Sequence, residues 1–164
     1  MSLFTILEIL AIVGTGLTAG IFFAFSTFVM KALARIPAEH GIAAMNSINV
    51  TVINPWFFTV FFGTPMICGI LAVMALPRWS EPDAAIILAA CLVHIVGSLA
   101  VTMAFNVPLN KALAAVTSAG GEGGALWRRY LSDWTFWNTV RTAAPLSAMI
   151  LLLIAMAVQK GAAT

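Results

Sequence analysis

Residues 134–158 read WTFWNTVRTAAPLSAMILLLIAMAV, and this stretch joins a polar, tryptophan-rich segment to a long apolar run. The run itself, residues 140–158, is close to the roughly 20 residues that a helix needs to cross a bilayer. Arg141 stands at its entrance, and a guanidinium stays charged in proteins. Such a charge within a membrane is costly unless it has partners. Arg141 is therefore either a functional group or an anchor that extends to the headgroups.

Three further apolar stretches are long enough to span a membrane, at residues 3–30, 56–76 and 84–105. The chain of 164 residues is 62% hydrophobic and 9% charged, with a mean hydropathy of +1.03. A soluble domain of this length has no core large enough for so much apolar surface. The sequence predicts an all-α membrane protein in which residues 1–164 form one domain, a four-transmembrane-helix bundle.

The chain carries a sequence repeat. The pattern Ala-Phe-x5-Lys-Ala-Leu-Ala occurs at residues 24–34 and again at 104–114, an offset of 80 (104 − 24 = 80), and Pro65 and Pro145 share that offset. We predict two duplicated helical hairpins, residues 1–80 and 81–164, with connecting segments embedded in the membrane.

The second repeat is more polar than the first. Ser26 corresponds to Asn106, Phe58 to Asn138 and Phe61 to Arg141. The arginine is thus a departure from the duplicated scaffold, which favours a functional interpretation.

The connection at residues 37–54 is apolar enough to embed, and its Pro and Asn residues predict a short helix followed by a re-entrant turn. In the second connection, glycine-rich residues 118–124 predict a flexible tip, and residues 126–137 a tryptophan-rich interfacial stretch. Both connections are basic, so the positive-inside rule places them in the cytoplasm and the termini outside. We expect an integral protein of a bacterial inner membrane.

Polar residues recur on one face of the third predicted span, at His94, Ser98, Thr102, Asn106 and Asn110. A four-residue spacing keeps successive side chains on neighbouring positions of a helix. Amide groups and a fixed cation can stabilise an anionic oxygen such as an enolate. The alternative is that these amides and hydroxyls only bridge helices.

The candidate site lies at the membrane end that contains Arg141. Aromatic side chains, including Phe22 and Phe25, could provide the walls for a flat ligand. The candidates for ligand binding are Asn49, Asn54, Asn110, Trp56, Trp134, Trp137, Ser26 and Thr102.

A metal site is not predicted. His40 and His94 are the only histidines, and no His-x-x-His or Glu-x-x-His motif is present. Cys68 and Cys91 both fall within predicted spans and are interpreted as small core residues. The sequence contains no basic patch of the kind that would indicate nucleic-acid binding. The expected partners are a hydrophobic aromatic or lipid-like small molecule, membrane lipid, and further copies of the chain in a homo-oligomer.

Four segments together resemble the DUF1772 family, the anthrone oxygenase-like small membrane proteins. They are MNSIN at 45–49, NPWF at 54–57, NVPLN at 106–110 and WTFWNTVRT at 134–142. The resemblance covers nearly the whole chain. It implies a four-span fold and the oxidation of anthrones to anthraquinones with O2 and without a cofactor.

The resemblance also implies roles for the candidate catalytic residues. Asp133 or a bound water would remove the acidic C–H proton of an anthrone or polycyclic phenol. Arg141, Asn106 and Asn138 would stabilise the resulting enolate. Two alternatives remain open: a non-catalytic membrane protein that binds a lipid, quinone or polyketide, and a haem or metal protein that uses His40 or His94.

Overall fold

The computed structural model describes residues 1–116 and 121–162, and this part of the chain is helical without strands. Five helices follow one another: α1 Leu3–Leu33, α2 Ala38–Thr51, α3 Pro55–Ala75, α4 Ala84–Ala114 and α5 Glu122–Ala162. Helices α1, α3, α4 and α5 are each long and apolar enough to cross a membrane. The predicted all-α membrane bundle is confirmed.

The four long helices form a closed antiparallel ring. Helix α1 packs against α3 and α5, and α4 packs against the same two helices from the opposite corner. Small and aliphatic side chains fill the middle of this ring, among them Cys68 and Cys91, which are both buried and free. Their interpretation as core residues is confirmed.

Helices α3 and α4 separate toward the end that lies away from the termini. Helix α3 packs against the first two segments of α4, Ala84–His94 and Ile95–Ala100, and makes far fewer contacts with the rest of α4. At this end Phe62 of α3 and Met103 of α4 are about half exposed. The gap between the two helices therefore opens sideways, toward the surface that lipid covers.

Three π-helical segments interrupt the long helices in the described part of the chain, one of them in the middle of α4 and two nearer the end away from the termini. One is Phe25–Val29 in α1, and the others are Ile95–Ala100 and Thr102–Asn106 in α4. Such segments occur frequently at functional sites. Helix α4 continues through Pro108 as far as Ala114, beyond the predicted span 84–105.

The first connection has the predicted form of a short helix and a turn. Helix α2 ends at Thr51, and Asn54 caps α3 by accepting a hydrogen bond from the Phe57 backbone N–H at 3.0 Å. Pro55 occupies the first turn of α3, where it needs no backbone donor.

The second connection differs from the prediction. Residues 126–137 belong to α5, which runs without a break from Glu122 through Pro145 and so begins well before the predicted span 140–158. The interfacial position of these residues stays a prediction. The charges of Arg128, Arg129 and Asp133 lower the local hydropathy, but no proline or glycine between residues 125 and 144 ends the helix. Residues 118–120 of the predicted flexible tip lie outside the described residues, whereas its last three residues begin α5.

The bundle end nearest the termini is tied together by buried polar groups. Arg78 Nη2 donates to both oxygens of Asp83, at 3.0 and 2.9 Å. The Gln159 amide donates to Asp83 at 2.8 Å and to the fully buried Glu8 at 3.2 Å. These contacts connect α1, α4 and α5 at one level. Each of the two sequence repeats carries a π segment shortly before Lys-Ala-Leu-Ala, but the duplication itself stays a prediction.

Gly14 allows α1 to approach α3 closely. A Cβ atom at Gly14 would overlap the side chain of the buried Thr64, whereas one at Gly20 would meet nothing within 4 Å. We therefore expect Gly14→Ala to lower the free energy of unfolding by about 1–3 kcal/mol through overpacking. Thermal unfolding in detergent micelles measures this loss.

Gly20→Ala is the matched control on the same helix and should be neutral or slightly stabilising. Adding Thr64→Ala to Gly14→Ala should recover part of the lost stability. Equal effects of the two glycine substitutions would contradict the packing described here.

Candidate functional site

A cavity of about 270 Å³ lies where α3 and α4 separate. Side chains from all five helices line it, and α2 covers its outer end. The lining is largely apolar, with Asn49, Thr102, Asn110 and Arg141 as its principal polar members. It is a small, mostly hydrophobic site with a few placed polar groups, which is the usual composition of a small-molecule pocket.

Arg141 is the charged residue of this cavity. Its side chain is 5% exposed. Nη1 donates to Thr102 Oγ1 at 3.1 Å, and Nη2 donates to Asn138 Oδ1 at 2.8 Å. The Nε atom is buried and has no hydrogen-bond partner. Neutral oxygens therefore hold the guanidinium in place while its Nε donor remains unused.

No acidic side chain of the described residues forms a salt bridge with Arg141. Its guanidinium carbon lies 4.3 Å from the centroid of the Phe22 ring and 5.1 Å from that of Trp134. Cation–π contacts of this kind contribute favourably when the cation is desolvated. They do not neutralise the charge, so the cavity keeps a positive potential.

Asn138 fixes the position of Arg141. While its Oδ1 accepts from the guanidinium, its Nδ2 donates to the Phe22 carbonyl at 2.7 Å and to Ser26 Oγ at 2.8 Å. These contacts attach α5 to α1 next to the π segment Phe25–Val29. Every polar atom of the Asn138 amide is thus used for positioning.

A second polar group lies at the Nε1 edge of the Trp134 indole. Asn110 Oδ1 accepts from Tyr130 Oη at 2.7 Å and from Trp134 Nε1 at 2.8 Å. Trp127, Tyr130 and Trp134 recur along one face of α5, with neighbouring ring centroids 5.7 and 5.8 Å apart and near-parallel planes. Tyr130 was not among the predicted residues. It is the only tyrosine in the sequence and lies four residues before Trp134, which was the available signal.

The structure brings seven of the predicted site residues together. Five line the cavity, and Asn138 and Ser26 lie directly behind Arg141 through their hydrogen bonds. The five lining residues are Asn49, Thr102, Asn110, Trp134 and Arg141.

The other predicted residues do not line the cavity. Asn106 is buried and donates to the Trp134 carbonyl at 3.1 Å. Asn54 is the cap of α3, and Trp56 is 85% exposed. Trp137 stacks on Phe105 at a centroid distance of 3.5 Å. Asp133 pairs with Arg129 at 3.0 Å, in a partly exposed position.

Most of the cavity wall comes from residues that sequence reasoning did not select. Phe57 and Phe61 stack with their centroids 5.3 Å apart, and Phe61 meets Phe22 edge to face at 6.4 Å. Met45 and Met103 add flexible apolar surface. In a sequence this rich in phenylalanine and methionine, nothing separates wall residues from lipid-facing ones.

A sequence model of the anthrone oxygenase family matches residues 57–151, more than half of the chain. The chain belongs to the anthrone oxygenase family. The match covers α3, α4 and the first three-quarters of α5, and so includes Thr102, Asn110, Trp134 and Arg141 but not Asn49. No curated protein and no solved structure matches the chain.

Membership in the anthrone oxygenase family associates the chain with an oxygenase-like role. The site can contribute a fixed positive charge, further N–H donors and aromatic surface, all shielded from water. The histidines of this family member lie elsewhere: His94 is buried in the bundle core and His40 is exposed on α2, and neither lines the cavity. Within the described residues, no three His, Cys, Asp or Glu side chains are grouped as metal ligands.

Removal of Asn138 should expose the cost of the buried charge. Asn138→Leu leaves Arg141 Nη2 without its hydrogen-bond partner in a water-poor site. We expect a loss of about 3 kcal/mol in the free energy of unfolding, because an uncompensated buried charge is strongly destabilising. Denaturant unfolding in micelles measures it.

The double variant Asn138→Leu/Arg141→Met is the control. With the charge gone it should regain at least half of the lost stability. If the single and double variants were equally unstable, the guanidinium would not be the source of the effect.

Proposed function

We propose that this protein binds a flat, hydrophobic aromatic compound with an acidic oxygen function and oxidises it with O2, as an anthrone-type oxygenase. The observation that carries the proposal is the unpaired guanidinium of Arg141 at an apolar cavity. Family membership supports the same reaction class.

The charge of Arg141 favours an anionic oxygen on the ligand. A guanidinium that lacks a counter-ion retains most of its field in a low-dielectric site. An enolate or phenolate oxygen would supply the missing counter-charge and accept the unused Nε donor. Prepositioned donors of this kind typically contribute 10²–10³-fold (about 2.7–4 kcal/mol) to the stabilisation of a developing oxyanion.

The apolar lining favours an aromatic body. Trp134, Phe57 and Phe61 offer ring faces and edges, and aromatic pairs prefer offset or edge-to-face contacts. Because the gap between α3 and α4 opens toward lipid, a membrane-dissolved substrate can enter without crossing water. We place the protein in a bacterial inner membrane, with the basic connections in the cytoplasm.

The proposed reaction needs only the substrate and O2. Loss of a proton from the activated methylene carbon gives an enolate, whose oxygen is stabilised by Arg141. The enolate transfers electrons to O2 and forms a C–O bond, giving a hydroperoxide after protonation. Loss of water from the hydroperoxide leaves a ketone. The methylene carbon is oxidised, one oxygen atom remains in the product and the other leaves as water.

A bound water is the proposed acceptor of the first proton. No carboxylate or imidazole lines the cavity in the part of the chain that the structure describes. The Asp133 carboxylate, the other candidate base, is paired with Arg129 on a partly exposed face of α5. The guanidinium makes a protein base less necessary, because it lowers the free energy of the enolate product.

The same observation favours a second candidate function. A site with a fixed cation and aromatic walls but no side-chain base would also suit a protein that only binds a phenolic lipid, quinone or polyketide. Oxygen consumption separates the two functions. The oxygenase consumes one O2 per anthrone oxidised, whereas a binding protein leaves the uncatalysed rate unchanged.

Arg141→Met should lower the rate of anthrone oxidation by about 10²–10³-fold, because it removes the charge that stabilises the enolate. An oxygen electrode, with purified protein in nanodiscs and anthrone as substrate, measures the rate. Arg141→Lys should retain part of the activity, since it keeps the charge but loses the planar donor geometry.

Arg128→Met is the matched control, because Arg128 is exposed on the same helix. It should leave the rate unchanged. Full activity in Arg141→Met would contradict the assigned role of the guanidinium.

A carboxylate placed beside Arg141 should compete with the ligand. Thr102 Oγ1 accepts a hydrogen bond from Nη1, so Thr102→Asp would provide the counter-ion internally. We expect binding of an anionic aromatic compound to weaken by at least tenfold. Thr102→Asn, which has the same shape without charge, should weaken binding by less. Isothermal titration of both variants provides the comparison, and equal affinities would contradict the electrostatic argument.

A further inference from the structure

The cavity has a second set of polar groups besides those around Arg141. Asn49 and Asn110 both line the cavity there. Asn49 belongs to the covering helix α2 and Asn110 to the last turns of α4. The two amides thus approach the cavity from different elements.

Asn110 has its amide orientation fixed by its neighbours. Tyr130 Oη and Trp134 Nε1 both donate to Asn110 Oδ1, and an indole N–H can only donate. The oxygen must therefore face these two groups. The NH₂ group of Asn110 is then available to donate a hydrogen bond to another partner.

Asn49 has an unused donor. Its Nδ2 atom is buried beside the Tyr130 hydroxyl, which can accept from only one of its two N–H groups, and the other N–H meets no acceptor within the described residues. A buried amide N–H without a partner costs about 1–3 kcal/mol. Such a group in the wall of a cavity is explained most simply by a ligand that accepts from it.

Asn110 and Arg141 contact different parts of the Trp134 indole. Asn110 contacts the Nε1 edge of the indole, whereas the Arg141 guanidinium lies 5.1 Å from the ring centroid. Along α4, Asn110 is eight residues beyond Thr102, the hydroxyl partner of Arg141, which is about 12 Å of helical rise. The cavity therefore has N–H donors at two places with apolar surface between them.

We propose that Asn49 and Asn110 form a second oxygen-binding subsite, so that the ligand carries oxygen atoms at both ends of its aromatic body. This inference rests on the proposed function, because it takes the Arg141 end as the site of the acidic oxygen. Asn49 and Asn110 determine specificity and take no part in the chemistry. A ligand with oxygen at one end alone leaves an N–H of Asn49 without an acceptor and binds less tightly.

Three naphthalene compounds test this proposal. One is a naphthol with a single hydroxyl, one is a diol with hydroxyls at opposite ends of the two rings, and one is a diol with hydroxyls on neighbouring carbons. The second diol controls for polarity and for the number of hydroxyls. Isothermal titration with wild-type protein in nanodiscs gives each dissociation constant.

The expected result is that the opposite-ended diol binds about five- to tenfold more tightly than either of the others. This is the gain in affinity expected from one or two additional hydrogen bonds. Asn49→Ala should remove this preference while leaving the affinity for the single naphthol unchanged. Asn46→Ala is the matched control, one turn away on α2 and outside the cavity lining, and should keep the preference.

Equal affinities of wild-type protein for the two diols would overturn the second subsite, and this comparison needs no variant. So would a preference that persists in Asn49→Ala. A different result would contradict the proposed function. In that result, Arg141→Met would bind all three compounds as tightly as the wild-type protein does. If the wild-type protein bound the two diols equally but its affinity still depended on Arg141, only the second subsite would be contradicted.

Discussion

The burial of a guanidinium without a counter-ion is the constraint on which the rest of this site depends. Asn138 and Thr102 hold Arg141 through neutral oxygens, and Phe22 and Trp134 lie against its faces. Asn138 can do this only because its NH₂ group is anchored to α1 at the Phe22 carbonyl. The hydrogen bonds that join α1, α4 and α5 at this end are thus the same ones that position the charge.

At the opposite end of the bundle, a charged side chain with a structural role has a counter-ion. Arg78 is paired with both oxygens of Asp83, and Gln159 extends the network to Glu8. That arginine lies next to its counter-ion at the edge of the membrane span. Arg141 has amide and hydroxyl partners and an apolar cavity in front of it. The contrast between the two arginines supports a ligand-binding role for Arg141 better than its burial alone does.

The sequence predicted the fold well because hydropathy and length decide it. Four apolar stretches can only be buried in a bilayer, and short connections make neighbouring helices antiparallel. The ends of the helices were predicted less well. Charged residues such as Arg128 and Arg129 lowered the hydropathy of the first part of α5, yet helix formation continues through them because the backbone contains no breaker.

The site was predicted in part. The polar periodicity of α4 and the position of Arg141 led to Thr102 and Asn110, since a polar group in an apolar helix must find a partner. Periodicity does not say which polar groups face a cavity. Asn106 points to the Trp134 carbonyl, and Asn54 serves as a helix cap, although both have the same side chain as Asn49. The phenylalanine wall depends on tertiary packing that no local pattern contains, whereas Tyr130, four residues before Trp134 in α5, had a local signal.

The central claim concerns where an acidic aromatic oxygen binds. A structure of the protein in nanodiscs, determined with a bound hydroxy-anthraquinone, tests it most directly. The account predicts a ligand oxygen within about 3 Å of the Arg141 guanidinium, with the rings against Trp134 and Phe57. A ligand bound elsewhere, or one whose oxygens turn away from Arg141, would contradict it.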